Sequence, residues 1–181
     1  MVSNTVSLSG VAIGVQPGSD GLGTESESRT EKKITLNTKS GGKITVYACK
    51  QEDMVKVNAF GTSFFIHKSL LPSVQRIDAK WRQLNPAYKI PLTVADKNAM
   101  GGYVCRNTRG QSKLSYHAYG LAIDINPTTN PMGSRLVTDM PNAFIRLWKD
   151  EGWGWGGDWT SVKDAMHFSK GKNEGGNMTV D

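Results

Sequence analysis

The sequence predicts an α+β protein, with short strands and two helices around one core. Apolar and polar residues alternate on both sides of a glycine-containing turn in the N-terminal third, which is the pattern of paired strands. Two later stretches repeat apolar residues every three or four positions, which is the spacing of one helix face. The chain has 181 residues, of which 38% are hydrophobic, so it is long enough for a single core but too short for a second catalytic unit.

The N-terminal part divides into two segments. Residues 1–30 are rich in Ser, Gly and Thr and lack an apolar period, so we expect a flexible or partly ordered N-terminal segment. Residues 31–66 are predicted to be a β-rich N-terminal extension that begins with a hairpin. The predicted strands of this extension are residues 33–38, 43–48, 54–57 and 61–66.

Residues 67–181 are predicted to form the core domain, which contains both helices. The first helix begins after Lys68 and ends at Asn85-Pro86, and the second spans residues 140–151 with Asp139 as its cap and Gly152 as its stop. The apolar face of the first helix is predicted to be Leu70, Val74, Ile77, Trp81 and Leu84. The strands predicted for this domain are residues 90–94, 103–106, 121–125 and 166–169.

The charge of the chain bears on its partners. A net charge of +6 favours a polyanionic surrounding, such as nucleic acid, anionic lipid or a bacterial wall rich in teichoic acid. Because the lysines and arginines are scattered and no recognised binding motif occurs, no nucleic acid partner is expected. The N-terminus lacks a positive region followed by an apolar core, and no stretch has membrane-spanning length, so neither a signal peptide nor a membrane span is predicted.

Two cysteines, Cys49 and Cys105, permit one disulfide but do not provide the framework that small secreted domains use. We therefore expect two buried thiols. A CxxC pair is absent, which excludes a zinc ribbon.

Three residues form a candidate metal site, namely His117, Asp124 and His167. On one helix His117 and Asp124 would stand about 10 Å apart along the axis, and on one strand they would face opposite sides. A change of direction at Tyr119-Gly120 is therefore needed for them to share an ion. Two imidazoles and one carboxylate are a common catalytic set for one zinc ion, with a fourth position left for water. His67 has no acidic or histidine neighbour in sequence, so we interpret it as a surface or satisfied core residue.

Other side chains could assist the metal. Asp164, three residues before His167, is the candidate general base, although a turn or supporting role stays open for it. The alternatives are Glu151 and Asp158. No G-x-S-x-G motif surrounds Ser115, so its hydroxyl is expected to hold His117 or the adjoining backbone rather than act as a nucleophile.

Two arginines and three tryptophans complete the candidate set. Arg106 could bind a substrate carboxylate or the oxyanion of a tetrahedral intermediate, and Arg109 could do the same. The aromatics on the glycine-rich loop after residue 152 could form a substrate wall or cap the core. They are Trp153, Trp155 and Trp159.

These motifs together resemble the zinc-dependent D-Ala-D-Ala carboxypeptidases and L-Ala-D-Glu endopeptidases of peptidoglycan, over roughly residues 68–170. The motifs that carry the resemblance are Ser115-x-His117-x-x-Gly120-x-Ala122-x-Asp124, Asn126-Pro127, Asn130-Pro131, Trp155-Gly-Gly-Asp158-Trp159 and Asp164-x-x-His167-Phe168. Many relatives have glutamate where this chain has Asp164, and the shorter residue resembles the endolysin branch of the family.

The resemblance implies specific roles and a fold. It implies one Zn²⁺ on His117, Asp124 and His167, with Asp164 as catalytic base and Arg106 stabilising substrate or transition state. Ser115, Trp155 and Asp158 are expected to contact substrate or to support the metal ligands. The implied fold is a small antiparallel sheet with flanking helices and zinc in an open cleft, as in hedgehog-like and DD-peptidase-like proteins.

The expected function is a zinc metallopeptidase that hydrolyses an amide bond in the peptide stem of bacterial peptidoglycan. The missing signal peptide fits a phage lytic enzyme, made in the host cytoplasm and released through a holin, or carried on a virion. We expect a monomer unless the protein is part of a virion. The alternative is a non-catalytic wall-binding or phage structural module that keeps the zinc fold.

Overall fold

The computed structural model describes residues 32–84 and 100–181, which form an α+β structure of small sheets and two helices. The helices are α1, Leu71–Leu84, and α2, Asn142–Asp150. The strands are β1 Lys33–Thr38, β2 Lys43–Tyr47, β3 Met54–Ala59, β4 Thr62–His67, β5 Met100–Gly101, β6 Ala122–Ile125, β7 Met132–Gly133, β8 Gly154–Trp155, β9 Lys163–Asp164, β10 His167–Ser169 and β11 Thr179–Val180. Among the described residues, neither helix is long and apolar enough to cross a bilayer.

Two antiparallel hairpins form the N-terminal part of the described chain, as the alternating patterns predict. In the first, β1 pairs with β2 and buries Leu36 and Val46 on one face. In the second, β3 pairs with β4 from Met54 to His67. Strand β11 adds to β1 in parallel, so the C-terminal end of the chain is hydrogen-bonded to the first hairpin.

The sheet that matters for the candidate site has the order β5-β6-β10-β8, with every pair antiparallel. Its register places His167 of β10 directly opposite Asp124 of β6. The neighbouring residues Ile123 and Phe168 point to the other face and are fully buried. This alternation anchors the two strands in the core and leaves His167 and Asp124 together on the opposite face.

Helix α1 packs its apolar face against the core, and α2 packs beside it. Val74, Ile77 and Trp81 are buried as predicted, and the Trp81 ring lies 5.1 Å from that of Phe144 on α2. Leu84 was wrongly assigned to this face, because it is 60% exposed at the last residue of the helix. The predicted helix stop at Asn85-Pro86 and the predicted strand 90–94 lie outside the described residues.

Helix α2 begins two residues later than predicted. Its N-cap is Pro141 rather than Asp139, whose carboxylate instead accepts a hydrogen bond from the Asn130 side chain at 3.0 Å. A tertiary contact therefore replaces the expected local cap. After α2 the chain turns at Gly152, which has a φ of +80°.

Residues 103–106 do not form the predicted strand. The Tyr103 amide donates to the carbonyl of Phe65, and the Val104 amide donates to that of His117. Because successive amides bond to different segments, no ladder forms. The predicted boundaries at residues 30 and 66 stay a prediction.

The expectation of two buried free thiols was wrong. Cys49 and Cys105 form a disulfide with their Cα atoms 5.0 Å apart, which is within the usual range. Cys49 is only partly buried, and Cys105 is exposed. The 56-residue separation hides this pairing from the sequence, since only the tertiary structure brings the two together.

Candidate metal centre

A short turn carries His117 into the site and reverses the chain before Asp124. Ser115 caps a 3₁₀ turn at Tyr116–Tyr119, and its hydroxyl oxygen accepts a hydrogen bond from the His117 amide at 3.3 Å. Gly120 ends the turn with a φ of +67°, and a side chain there would collide with the His67 amide. The change of direction lies at the predicted position, and β6 then delivers Asp124 to the same side.

The hydrogen bonds of His117 leave one ring nitrogen without a partner. Its Nδ1 lies 2.7 Å from the carbonyl oxygen of Gly102, which can only accept, so Nδ1 carries the proton. The other nitrogen, Nε2, is buried and makes no hydrogen bond, although it lies 3.2 Å from Asp124 Oδ2. A buried lone pair facing a carboxylate is unfavourable unless a cation lies between them.

His117, Asp124 and His167 form a cluster whose ligand atoms suit one metal ion. His167 Nδ1 lies 3.0 Å from Asp124 Oδ1, and one ligand atom from each of the three residues falls within 4.8 Å of the others. Ligands of a tetrahedral zinc at 2.0–2.1 Å stand about 3.3 Å from one another. The spacing, the donor types and the unpaired Nε2 agree, so this cluster could hold a metal ion.

The electrostatics of the cluster favour a positive charge at its centre. Burial raises the pKa of Asp124, but its interactions with the two neighbouring imidazoles outweigh burial and hold that pKa well below its usual value. Burial lowers the pKa of His167, but its hydrogen bonds with Asp124 and Glu174 outweigh burial and raise the pKa to about 10. Two carboxylates therefore attract a cation, which can be a proton or a metal ion.

Asp164 lies close enough to the cluster to interact with it electrostatically. It sits on β9, and its Oδ1 is buried without a hydrogen-bond partner. Burial is the largest cause of its raised pKa, and His167, His117 and Asp124 also act on it. The alternative carboxylates are paired elsewhere, since Glu151 contacts Arg76 at 2.8 Å and exposed Asp158 contacts Lys149 at 2.6 Å.

Arg106 approaches the cluster from the irregular segment after β5. Its Nη2 lies 3.9 Å from Asp124 Oδ2, and its side chain is 38% exposed. The guanidinium can therefore contact both the cluster and a molecule that enters from solvent. Arg109 is exposed in the following turn.

The comparison with known families agrees with this geometry. Residues 108–170 match the model of the D-alanyl-D-alanine carboxypeptidase family. The resemblance to this zinc peptidase family is confirmed. The matched stretch contains His117, Asp124, Asp164 and His167, whereas Arg106 precedes it. No solved structure matches the chain.

The three tryptophans differ in where they lie relative to the candidate metal site. Trp155 is 7% exposed, donates its indole N–H to the Ala165 carbonyl at 2.8 Å and stacks on Phe168 in the core. Trp153 is also buried and donates to the Ser73 hydroxyl. Trp159 is half-buried, and its ring centroid lies 5.5 Å from that of His167. Of these three tryptophans, Trp159 is therefore the one whose ring lies against the cluster.

The structure adds Glu174, which no motif in the sequence identifies. Its Oε2 lies 2.7 Å from Nε2 of His167, the nitrogen that faces away from Asp124. Glu174 lies on a 3₁₀ turn at Lys172–Glu174 in a glycine-rich segment. A glutamate seven residues after a histidine has no helical or strand spacing that would place the two in contact, so the sequence offered no signal.

Proposed function

We propose that this protein is a zinc metallopeptidase that hydrolyses an amide bond in the peptide stem of bacterial peptidoglycan. The observation that carries the proposal is the buried, unpaired Nε2 of His117 facing Asp124, within a stretch that matches a D-alanyl-D-alanine carboxypeptidase family. The +6 net charge also suits an anionic wall as the surrounding of the substrate.

His117, Asp124 and His167 would hold one zinc ion through Nε2, a carboxylate oxygen and Nδ1 respectively. Zinc in such a set acts as a Lewis acid toward a carbonyl oxygen and lowers the pKa of water toward neutrality. The protein's own contribution is to hold the three donors so that one ligand atom of each faces the other two.

Asp164 is the proposed general base. Its carboxylate would take a proton from the attacking water while the water oxygen bonds to the carbonyl carbon of the scissile amide. The same carboxyl group would pass the proton to the leaving nitrogen as the C–N bond breaks. Its buried Oδ1, which makes no hydrogen bond, is available for this exchange.

Arg106 is proposed to bind the charge that develops on the substrate. A guanidinium within 4 Å of the metal-ligand carboxylate, yet partly exposed, can donate to the oxyanion or to a substrate carboxylate. Ser115 is proposed to keep the turn of His117 in place, and Trp159 is proposed to form one wall of the cleft beside His167.

The test is digestion of purified peptidoglycan with the zinc-loaded protein, followed by mass spectrometry of the products. A chelated sample and an Asp164→Asn variant are the controls, and Asn keeps the size of the side chain without its basicity. We expect the variant to cleave about 10²–10⁴ times more slowly while it binds zinc as the wild type does. Cleavage at the wild-type rate by the variant would remove Asp164 from the mechanism.

The products of the same digestion identify the bond. A new terminus between L-Ala and D-Glu indicates an endopeptidase, and loss of a terminal D-Ala indicates a carboxypeptidase. We propose that the enzyme is a phage lytic protein, either an endolysin or part of a virion. Mass spectrometry of purified particles checks the virion form, which is rejected if the protein is absent from them.

A second candidate is a wall-binding or phage structural module that retains the metal site without cleaving. Strands β1 to β4 favour it, because they lie outside the matched stretch and could serve a separate role. If the zinc-loaded protein sediments with walls of several stem chemistries but releases no fragment from any of them, this candidate replaces the peptidase.

A further inference from the structure

Glu174 contacts the candidate metal site from outside the family match. The matched segment ends at residue 170, and Glu174 follows four residues later. Its side chain is largely buried, with 19% of its surface exposed, and its Oε2 lies 2.7 Å from His167 Nε2. A carboxylate at this distance from an imidazole nitrogen favours a proton on that nitrogen.

The two nitrogens of His167 face different carboxylates. Nδ1 faces Asp124, the residue that shares the cluster, and Nε2 faces Glu174. An ionised carboxylate only accepts hydrogen bonds, so Glu174 favours a proton on Nε2. Nδ1 is then the nitrogen that can give its lone pair to a metal ion held beside Asp124.

The Glu174 carboxylate is held in place by its surroundings. The turn that carries it begins after Gly171, whose amide donates to the Ser169 hydroxyl at 2.9 Å, and the Ser169 side chain also interacts with the carboxylate. The Trp159 indole N–H donates to the backbone carbonyl of Glu174 at 3.4 Å. These contacts join the turn that carries Glu174 to β10 and to the loop that carries Trp159. The carboxylate is therefore already in place before a metal binds.

We propose that Glu174 is a positioning residue that fixes the tautomer and the ring orientation of His167 for metal binding. The proposal rests on the zinc site of the proposed function. Glu174 does the same for His167 as the Gly102 carbonyl does for His117, whose Nδ1 it holds at 2.7 Å. Each imidazole would then offer one unprotonated nitrogen to the same ion.

The first experiment measures the zinc dissociation constant of the full chain by competition with a chromophoric chelator. We expect Glu174→Ala to bind zinc about 10–100 times more weakly than the wild type, the usual cost of losing such a partner. Glu174→Gln keeps an acceptor oxygen without the charge, so its affinity should fall between the two. Lys172→Ala is the matched control, because Lys172 is exposed on the same turn, and its affinity should stay within about twofold of wild type.

The second measurement requires no variant. In the zinc-bound wild type, ¹⁵N NMR of the imidazoles should show His167 protonated on Nε2 and bound through Nδ1. The opposite assignment overturns the proposal even if Glu174→Ala fails to fold. An Ala variant that folds and binds zinc within twofold of Lys172→Ala overturns it as well.

Neither measurement depends on cleavage of peptidoglycan. If zinc affinity falls as expected but the wild type releases no wall fragments, the role of Glu174 stands and the proposed peptidase function fails. If the wild type cleaves walls and Glu174→Ala keeps its zinc, the peptidase stands and the Glu174 proposal fails. A wild type that binds no zinc overturns both.

Discussion

The two imidazoles of the candidate site are held by different kinds of partner. His117 donates to a backbone carbonyl, that of Gly102, whereas His167 contacts the side chain of Glu174. Gly102 in turn packs so closely on the Phe65 carbonyl that no side chain fits at its Cα. His117 is therefore held by a backbone carbonyl, which a side-chain substitution does not remove. His167 depends on one carboxylate, which a substitution can remove.

The largest effect is expected from removing either imidazole. His117→Ala and His167→Ala each delete one of the three donors in the cluster, so zinc affinity should fall by more than the roughly 100-fold upper cost of losing a supporting partner. Chelator competition measures both losses. His67→Ala is the control, because His67 is a buried histidine whose Nδ1 contacts Ser69 instead of the cluster. A His117→Ala variant that retained its zinc would separate the two imidazoles and refute the shared site.

The disulfide is expected to stabilise the segments that position His117, the imidazole that a backbone carbonyl holds. It joins Cys49 to Cys105, three residues after Gly102, and the Cys49 amide also donates to the carbonyl of Ala118 beside His117. Closing a 56-residue separation typically contributes about 2–4 kcal/mol to the free energy of unfolding. Urea unfolding with and without a reductant should show a loss of that size.

A matched variant checks the origin of this loss. The double substitution Cys49→Ser, Cys105→Ser should unfold like the reduced wild type and should no longer respond to the reductant. An oxidised wild type no more stable than this variant would show that the disulfide does not hold the two segments together.

Local patterns predicted the parts of the molecule that depend on neighbours in sequence. The hairpins and the strand that carries Asp124 follow from the alternation of apolar and polar residues, and the reversal at Gly120 follows from the glycine. All of them were found where expected. Tertiary contacts decided the rest. Asp139 contacts Asn130 instead of capping α2, and the segment at Tyr103 is hydrogen-bonded to two separate parts of the chain.

The site shows the same division between local and distant information. The candidate metal ligands could be chosen from the sequence because His117, Asp124 and His167 occur in recognisable motifs. Glu174 and the disulfide could not be predicted from the sequence. A lone glutamate in a glycine-rich turn and two distant cysteines contact their partners only in the folded structure.

The smallest effect is expected from His67, a histidine outside the cluster, on the pH dependence of the free energy of unfolding. Its Nδ1 accepts a hydrogen bond from the Ser69 amide, and burial lowers its pKa to about 4, although Asp53 acts in the opposite direction. The unfolded chain takes up a proton near pH 6.5, before the folded protein does. The free energy of unfolding should therefore fall by up to about 3 kcal/mol from this group as the pH drops from 6.5 to 4. His67→Asn keeps an acceptor for Ser69 but does not titrate, so its unfolding free energy should fall less steeply, and equal slopes would show that His67 is not held neutral.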